Sequence, residues 1–160
     1  MQAWANFLIA EAGAAAALTG LIFVAVSLNL SKILSIPRLP NRALEALVLL
    51  ITILVVSSLL LVPDQAQTAV GIELTIAGFL CASIVFRLDL RIRRDTDPQY
   101  RHAFLVNMLL SQIASLPYLA GGLIVLAGKS EGLYVMVVAI IFSFIKALLD
   151  AWVLLVEINR

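Results

Sequence analysis

Charge, histidine and cysteine are scarce in this 160-residue chain. Charged residues make up 13% of it, about half the share of a soluble globular domain. Eleven basic and ten acidic side chains cannot coat a water-facing surface of that size. The formal net charge of +1 excludes nucleic-acid binding through bulk positive charge. Cys81 is the single cysteine, so no intrachain disulfide forms. His102 is the single histidine and follows an arginine in a basic connector. A zinc site of His and Cys ligands therefore lacks its parts, and a Ser–His catalytic arrangement lacks a base within the apolar segments. There is also no Gly-rich phosphate loop. Neither a metal nor a cofactor is expected.

Apolar residues are what the chain has in excess. They reach 62%, with a mean hydropathy of +1.07, which excludes disorder. The expected fold is an all-α polytopic transmembrane bundle of five spans. Apolar runs of about 20 residues, enough to cross roughly 30 Å of hydrocarbon, fall at 5–30, 42–62, 67–88, 103–127 and 133–158. The breaks carry helix-stopping residues: Pro37, Pro40 and Asn41; Pro63 and Asp64; Asp95, Asp97 and Pro98; Gly128, Ser130 and Gly132. No base precedes the first run, and it is longer than a signal-peptide core, so it reads as a retained helix. The connectors are short, so consecutive spans should pack antiparallel.

The bases give a direction. Lys32, Arg38, Arg42, Arg87, Arg91, Arg93, Arg94, Arg101 and Arg160 fall on one side, and Lys129 alone on the other. By the positive-inside rule the N-terminus lies outside and the C-terminus in the cytoplasm. Trp4 and Tyr134 then sit at the outer interface, and Arg91, Arg93, Arg94 and Arg101 face lipid headgroups, anionic ones included.

Four charges stand out inside the spans: Glu11, Glu73, Lys146 and Asp150. Each costs about 2.5–3.5 kcal/mol or more at mid-membrane, so each must face protein, water or a partner charge. Glu11 and Glu73 lie at similar depth and are expected to share a layer. Lys146 and Asp150 are four apart and share a helix face. On span four, Asn107, Ser111, Ser115 and Tyr118 form a polar stripe beside Gln112, and Asn107 and Ser111 are expected at the depth of Asp150 and Lys146. The stripe reads either as hydrogen bonding between helices or as the lining of a path. Pro117 predicts a kink. Gly13, Ala16, Ala17 and Gly20 make a small-residue packing face on span one. That helix is expected to be the most enclosed, within the protomer or at a symmetry axis.

The stretch 12–30, AGAAAALTGLIFVAVSLNL, with the following 37–42 loop, resembles the opening of a family of small uncharacterised bacterial polytopic membrane proteins. The resemblance implies a bacterial cytoplasmic membrane and carries neither an activity nor a site. Three functions remain. The first is an oligomeric channel or small transporter for cations or protons, with the intramembrane charges along its path. The second is a non-transporting scaffold, assembly factor or regulatory subunit of a larger membrane complex. The third, an intramembrane enzyme, is disfavoured because no pair of carboxylates carries a reactive motif.

Overall fold

The computed structural model describes residues 2–94, 99 and 101–158. Asp95, Asp97, Pro98 and Arg160, and the side chain of Arg101, lie outside the described residues. The described chain is helical: α1 (Gln2–Leu28), α2 (Leu30–Ser35), α3 (Leu39–Leu61), α4 (Gln67–Arg94), α5 (Arg101–Leu126) and α6 (Gly132–Ile158). All but α2 are long and apolar enough to cross a membrane. Large apolar side chains are exposed on every one of these five, among them Phe23, Ile51, Phe79, Leu109 and Trp152. Such a surface suits lipid rather than water, and the five helices have the length and composition of a multi-pass membrane protein.

The helix ends have local causes. Pro40 stands in the first turn of α3, where its missing N–H has no partner to lose. Gly128 adopts φ +84 after α5. Its N–H reaches Val125 O at 2.9 Å and the Lys129 N–H reaches Ile124 O at 3.1 Å, a Schellman closure. The 3→4 turn bends at Asp64, with φ 55. Helix α4 runs six residues beyond the expected end at 88. Its buried stripe of Cys81, Val85, Leu88, Asp89 and Ile92 continues past the apolar run, and Arg91, Arg93 and Arg94 suit the negative end of the helix dipole. Helix α5 is continuous through Pro117.

Helices α3, α4, α5 and α6 form a ring in which each packs on the next and α6 returns to α3. Helix α1 lies outside this ring, chiefly against α3. At the amino-terminal end Trp4 of α1 meets Tyr134 of α6, ring centroids 5.1 Å apart. At the arginine-rich end Arg38 pairs with Glu157 at 3.3 Å. The ring interior is filled by Leu49, Leu50, Ile53, Leu74, Tyr118, Met136 and Ile140.

The close-packing seam is not where the sequence suggests. Of the α1 span 17% is buried, against 50% for α3, so α1 is the least enclosed of the five within the protomer. Gly13, Ala16, Ala17 and Gly20 are all exposed, and a Cβ added at Gly13 or Gly20 meets nothing within 4 Å. The glycine–alanine face of these roughly two turns makes no contact because the helix rests on one neighbour by its other face, through Leu8, Ala15 and Ile22. The tight seam is between α4 and α5. A Cβ at Gly78 would stand 2.4 Å from Leu119 N, one at Gly71 2.5 Å from Leu126 Cα, and one at Gly122 2.6 Å from Thr75 N. These are backbone atoms, so the helices would have to separate. Gly78→Ala is therefore expected to cost about 1–3 kcal/mol, whereas Gly20→Ala leaves stability unchanged or slightly raised. Unfolding of both variants in the same detergent measures the difference.

Candidate functional site

Near the arginine-rich end of the ring, four helices converge on a buried ionic network. Lys146 of α6 is 2% exposed, in a position where a lone ammonium would be severely penalised. Its Nζ lies 2.9 Å from Glu45 Oε1 of α3 and pairs with Asp150 Oδ2 one turn further along α6. Arg42 Nη1, one turn before Glu45 on α3, reaches the other Asp150 oxygen at 3.5 Å. Arg42 is thus not only a loop base marking direction; it lies inside α3 and closes the network towards that end. Ser111 of α5 donates to Glu45 Oε1, and also stands 3.0 Å from its own helix's Asn107 carbonyl. The charged acceptor is the stronger of the two for its single proton.

Helix α4 contributes Asp89, fully buried. Gln112 Nε2 of α5 donates to Asp89 Oδ2 at 3.1 Å. Asp89 is also within electrostatic reach of Glu45, Lys146 and the Ser111 hydroxyl. Three atoms of this region are buried without a hydrogen-bond partner among the described residues: Glu45 Oε2, Asp89 Oδ1 and Asn107 Nδ2. Three carboxylates are therefore enclosed with two bases.

Towards the amino-terminal end the polarity continues as hydroxyls. Ser115 donates to Ser111 O at 2.8 Å, and Ser143 of α6 donates across to Ala114 O at 3.2 Å. Tyr118, fully buried, has its hydroxyl beside Ser143 without a hydrogen bond of good geometry. Glu11 of α1, half-buried, is within electrostatic reach of Tyr118. Glu11 and Glu73 are not joined by any hydrogen bond among the described residues. Glu73 instead accepts from Gln65 Nε2 at 3.0 Å in the 3→4 turn, because α4 packs on α5 and α3 while α1 rests mainly on α3. Arg91, Arg93 and Arg94 are exposed at the end of α4. No group of three or more His, Cys, Asp or Glu is arranged to hold a metal ion among the described residues.

Sequence reasoning brought Lys146, Asp150, Ser111, Gln112, Ser115 and Asn107 into view and missed Glu45 and Asp89. Both sit close to span ends, where a carboxylate reads as interfacial. Their periodicity marks them as buried. Glu45 lies seven residues before Thr52 on the stripe that includes Leu49 and Val56. Asp89 lies four after Val85 and eight after Cys81.

Lys146→Met is expected to cost about 3–5 kcal/mol, because it leaves Glu45 as an uncompensated buried charge. The double variant Lys146→Met/Glu45→Gln should recover most of that loss, since Asp150 keeps Arg42. Chemical unfolding in lipid bicelles reads both; equal losses in the single and double variants would show that Lys146 does not compensate Glu45.

No family model, no curated protein and no solved structure matches this chain, so its chemistry has to be argued from these side chains.

Proposed function

We propose that this chain is a small membrane transport protein that moves protons or small cations through the buried network of Arg42, Glu45, Asp89, Lys146 and Asp150. The observation that carries the reading is the enclosure of three carboxylates with two bases, with buried carboxylate oxygens left unmet. A network serving only to fasten helices gains nothing from an excess acid, whose desolvation is costly. Intramembrane ionisable groups of this kind mark ion and proton pathways. The apolar filling of the ring favours charge passed between side chains over a hydrated ion in an open pore. Ser111, Ser115, Ser143 and Tyr118 extend the path from the network towards Glu11. In this reading the arginine-rich end faces the cytoplasm of a bacterial cell, Arg91, Arg93, Arg94 and Arg101 lie against anionic headgroups, and the protomer self-associates.

A second reading is favoured by one observation. The small-residue face of α1 is open in the protomer, and such faces let transmembrane helices approach closely. It fits a non-transporting subunit that docks in a larger membrane complex through α1.

Reconstituted liposomes under a pH or cation gradient separate the two. Flux above empty vesicles is expected, falling to the empty-vesicle level in Glu45→Gln and keeping its rate in Arg93→Gln, which alters an exposed base. Glu11→Gln should change the rate or its pH dependence. No flux under any of several proton and cation gradients would leave the subunit reading.

A further inference from the structure

We infer that Asp89 is a proton-binding site: it holds one exchangeable proton on its Oδ1 atom inside the seam between α3, α4 and α5. The inference deepens the transport reading, and its functional meaning rests on that reading.

The three buried carboxylates differ in their partners. Glu45 has Lys146 at 2.9 Å and the Ser111 hydroxyl. Asp150 has Lys146 on one oxygen and Arg42 on the other. Asp89 has the neutral amide of Gln112 on Oδ2, and no base within ion-pair distance among the described residues. Its Oδ1 atom is buried and meets no donor. The surplus negative charge of the network therefore falls on Asp89, in a residue with no exposed surface.

The groups facing it point the same way. From α3 comes the like charge of Glu45; from α5 come the neutral Gln112 and Ser111; from α6 comes Lys146, already shared between two other carboxylates. On α4 itself Arg87, Arg91 and Arg93 are exposed and point away from the seam. A like charge nearby in a low-dielectric site disfavours ionisation of the carboxylate that has no base of its own. Binding a proton forms one O–H bond, breaks none in the protein, and makes the network neutral. It also turns Oδ1 from an acceptor without a donor into a donor, while Glu45 Oε2 across the α3–α4 contact is a buried acceptor without one. A bare metal cation meets the same charge less well. It needs several oxygen ligands around one point, and no such convergence of acidic groups exists among the described residues.

Infrared spectroscopy of the full chain in lipid vesicles at neutral pH tests this without a flux measurement. The wild type is expected to show a protonated-carboxyl carbonyl band that shifts in D2O. The band should move with carbon-13 aspartate labelling, stay put with carbon-13 glutamate labelling, and vanish in Asp89→Asn. Asp89→Asn mimics the neutral acid, so its unfolding midpoint should match the wild type. The labelling decides the matter even if that variant fails to fold. Absence of the band, its assignment to glutamate, or its persistence in folded Asp89→Asn would overturn the inference. So would its disappearance when sodium chloride replaces choline chloride, which would make the site one for a metal cation. A band without flux keeps the bound proton and retires transport; flux without a band does the reverse.

Discussion

The ammonium of Lys146 sets the constraint that the ring has to meet. An ammonium buried in the ring must be matched inside the protein, because packed apolar side chains do not solvate it. Its own helix supplies Asp150, four residues on, and that alone would make a closed pair on α6. Glu45 draws α3 to the same nitrogen, Ser111 brings α5 to Glu45, and Asp89 with Gln112 ties α4 to α5 beside them. Lys146 thereby fixes the rotation of α3 against α6, with α5 joined through Ser111, while the Asp89–Gln112 bond holds α4 to α5.

Charge is one of two fastenings, and they lie in different places. Apolar side chains give little net drive to helix association when the surroundings are equally apolar. Helices α4 and α5 meet through Gly71, Gly78 and Gly122, where backbones approach so closely that a methyl group would not fit. Helices α3 and α6 meet through the ionic network instead. Helix α1 has neither device on the protomer. It packs on α3 along an apolar stripe through Leu8, Ala15 and Ile22, and its glycines stand open on the far side. That open face is what the subunit reading of α1 rests on.

Five runs of apolar residues were enough to place the helices, because hydrocarbon thickness fixes their length and Pro, Gly and Asp mark the stops. Helix order around the ring was not legible. It depends on which faces interlock, and in a lipid-embedded chain both buried and exposed faces are apolar. Glycine number was equally misleading: the richest small-residue stretch, 12–17, makes no tight seam, whereas isolated Gly71, Gly78 and Gly122 do. The charges divide in an instructive way. Lys146 and Asp150 declared themselves by lying mid-span. Glu45 and Asp89 did not, because a carboxylate within two turns of a helix end has an easy route to water in sequence terms. Only the pairing of helix ends in the fold closes that route. Arg42 was read by its sign alone, and its partner is 108 residues away.

The stripe on α5 gains a sharper meaning once its donors are followed. Several hydroxyls on the long helices bond back to their own chain four residues earlier, as Thr19, Thr52, Thr75 and Ser115 do. Such a bond holds no neighbouring helix. Two donors in the stripe region reach across instead: Ser111 to a carboxylate, and Ser143 to the Ala114 carbonyl, one residue before Ser115. The stripe therefore joins the ionic network at one end only. At the other, the Tyr118 hydroxyl is buried without a good partner, and Ser143, its neighbour, has already given its proton to backbone. In the proposed path from Asp89 towards Glu11 the weakest link is there, between Ser143 and Tyr118. Turning the Ser143 hydroxyl from Ala114 O to the tyrosine is the smallest rearrangement that completes the row. Pro117 is adjacent to that point, and by lacking an N–H it leaves the Ile113 carbonyl without its usual partner. The interruption in the hydroxyl row and the interruption in the α5 backbone ladder thus fall within one helical turn. If the proposed path is used, that turn, rather than the tightly paired Lys146, is where its barrier is concentrated.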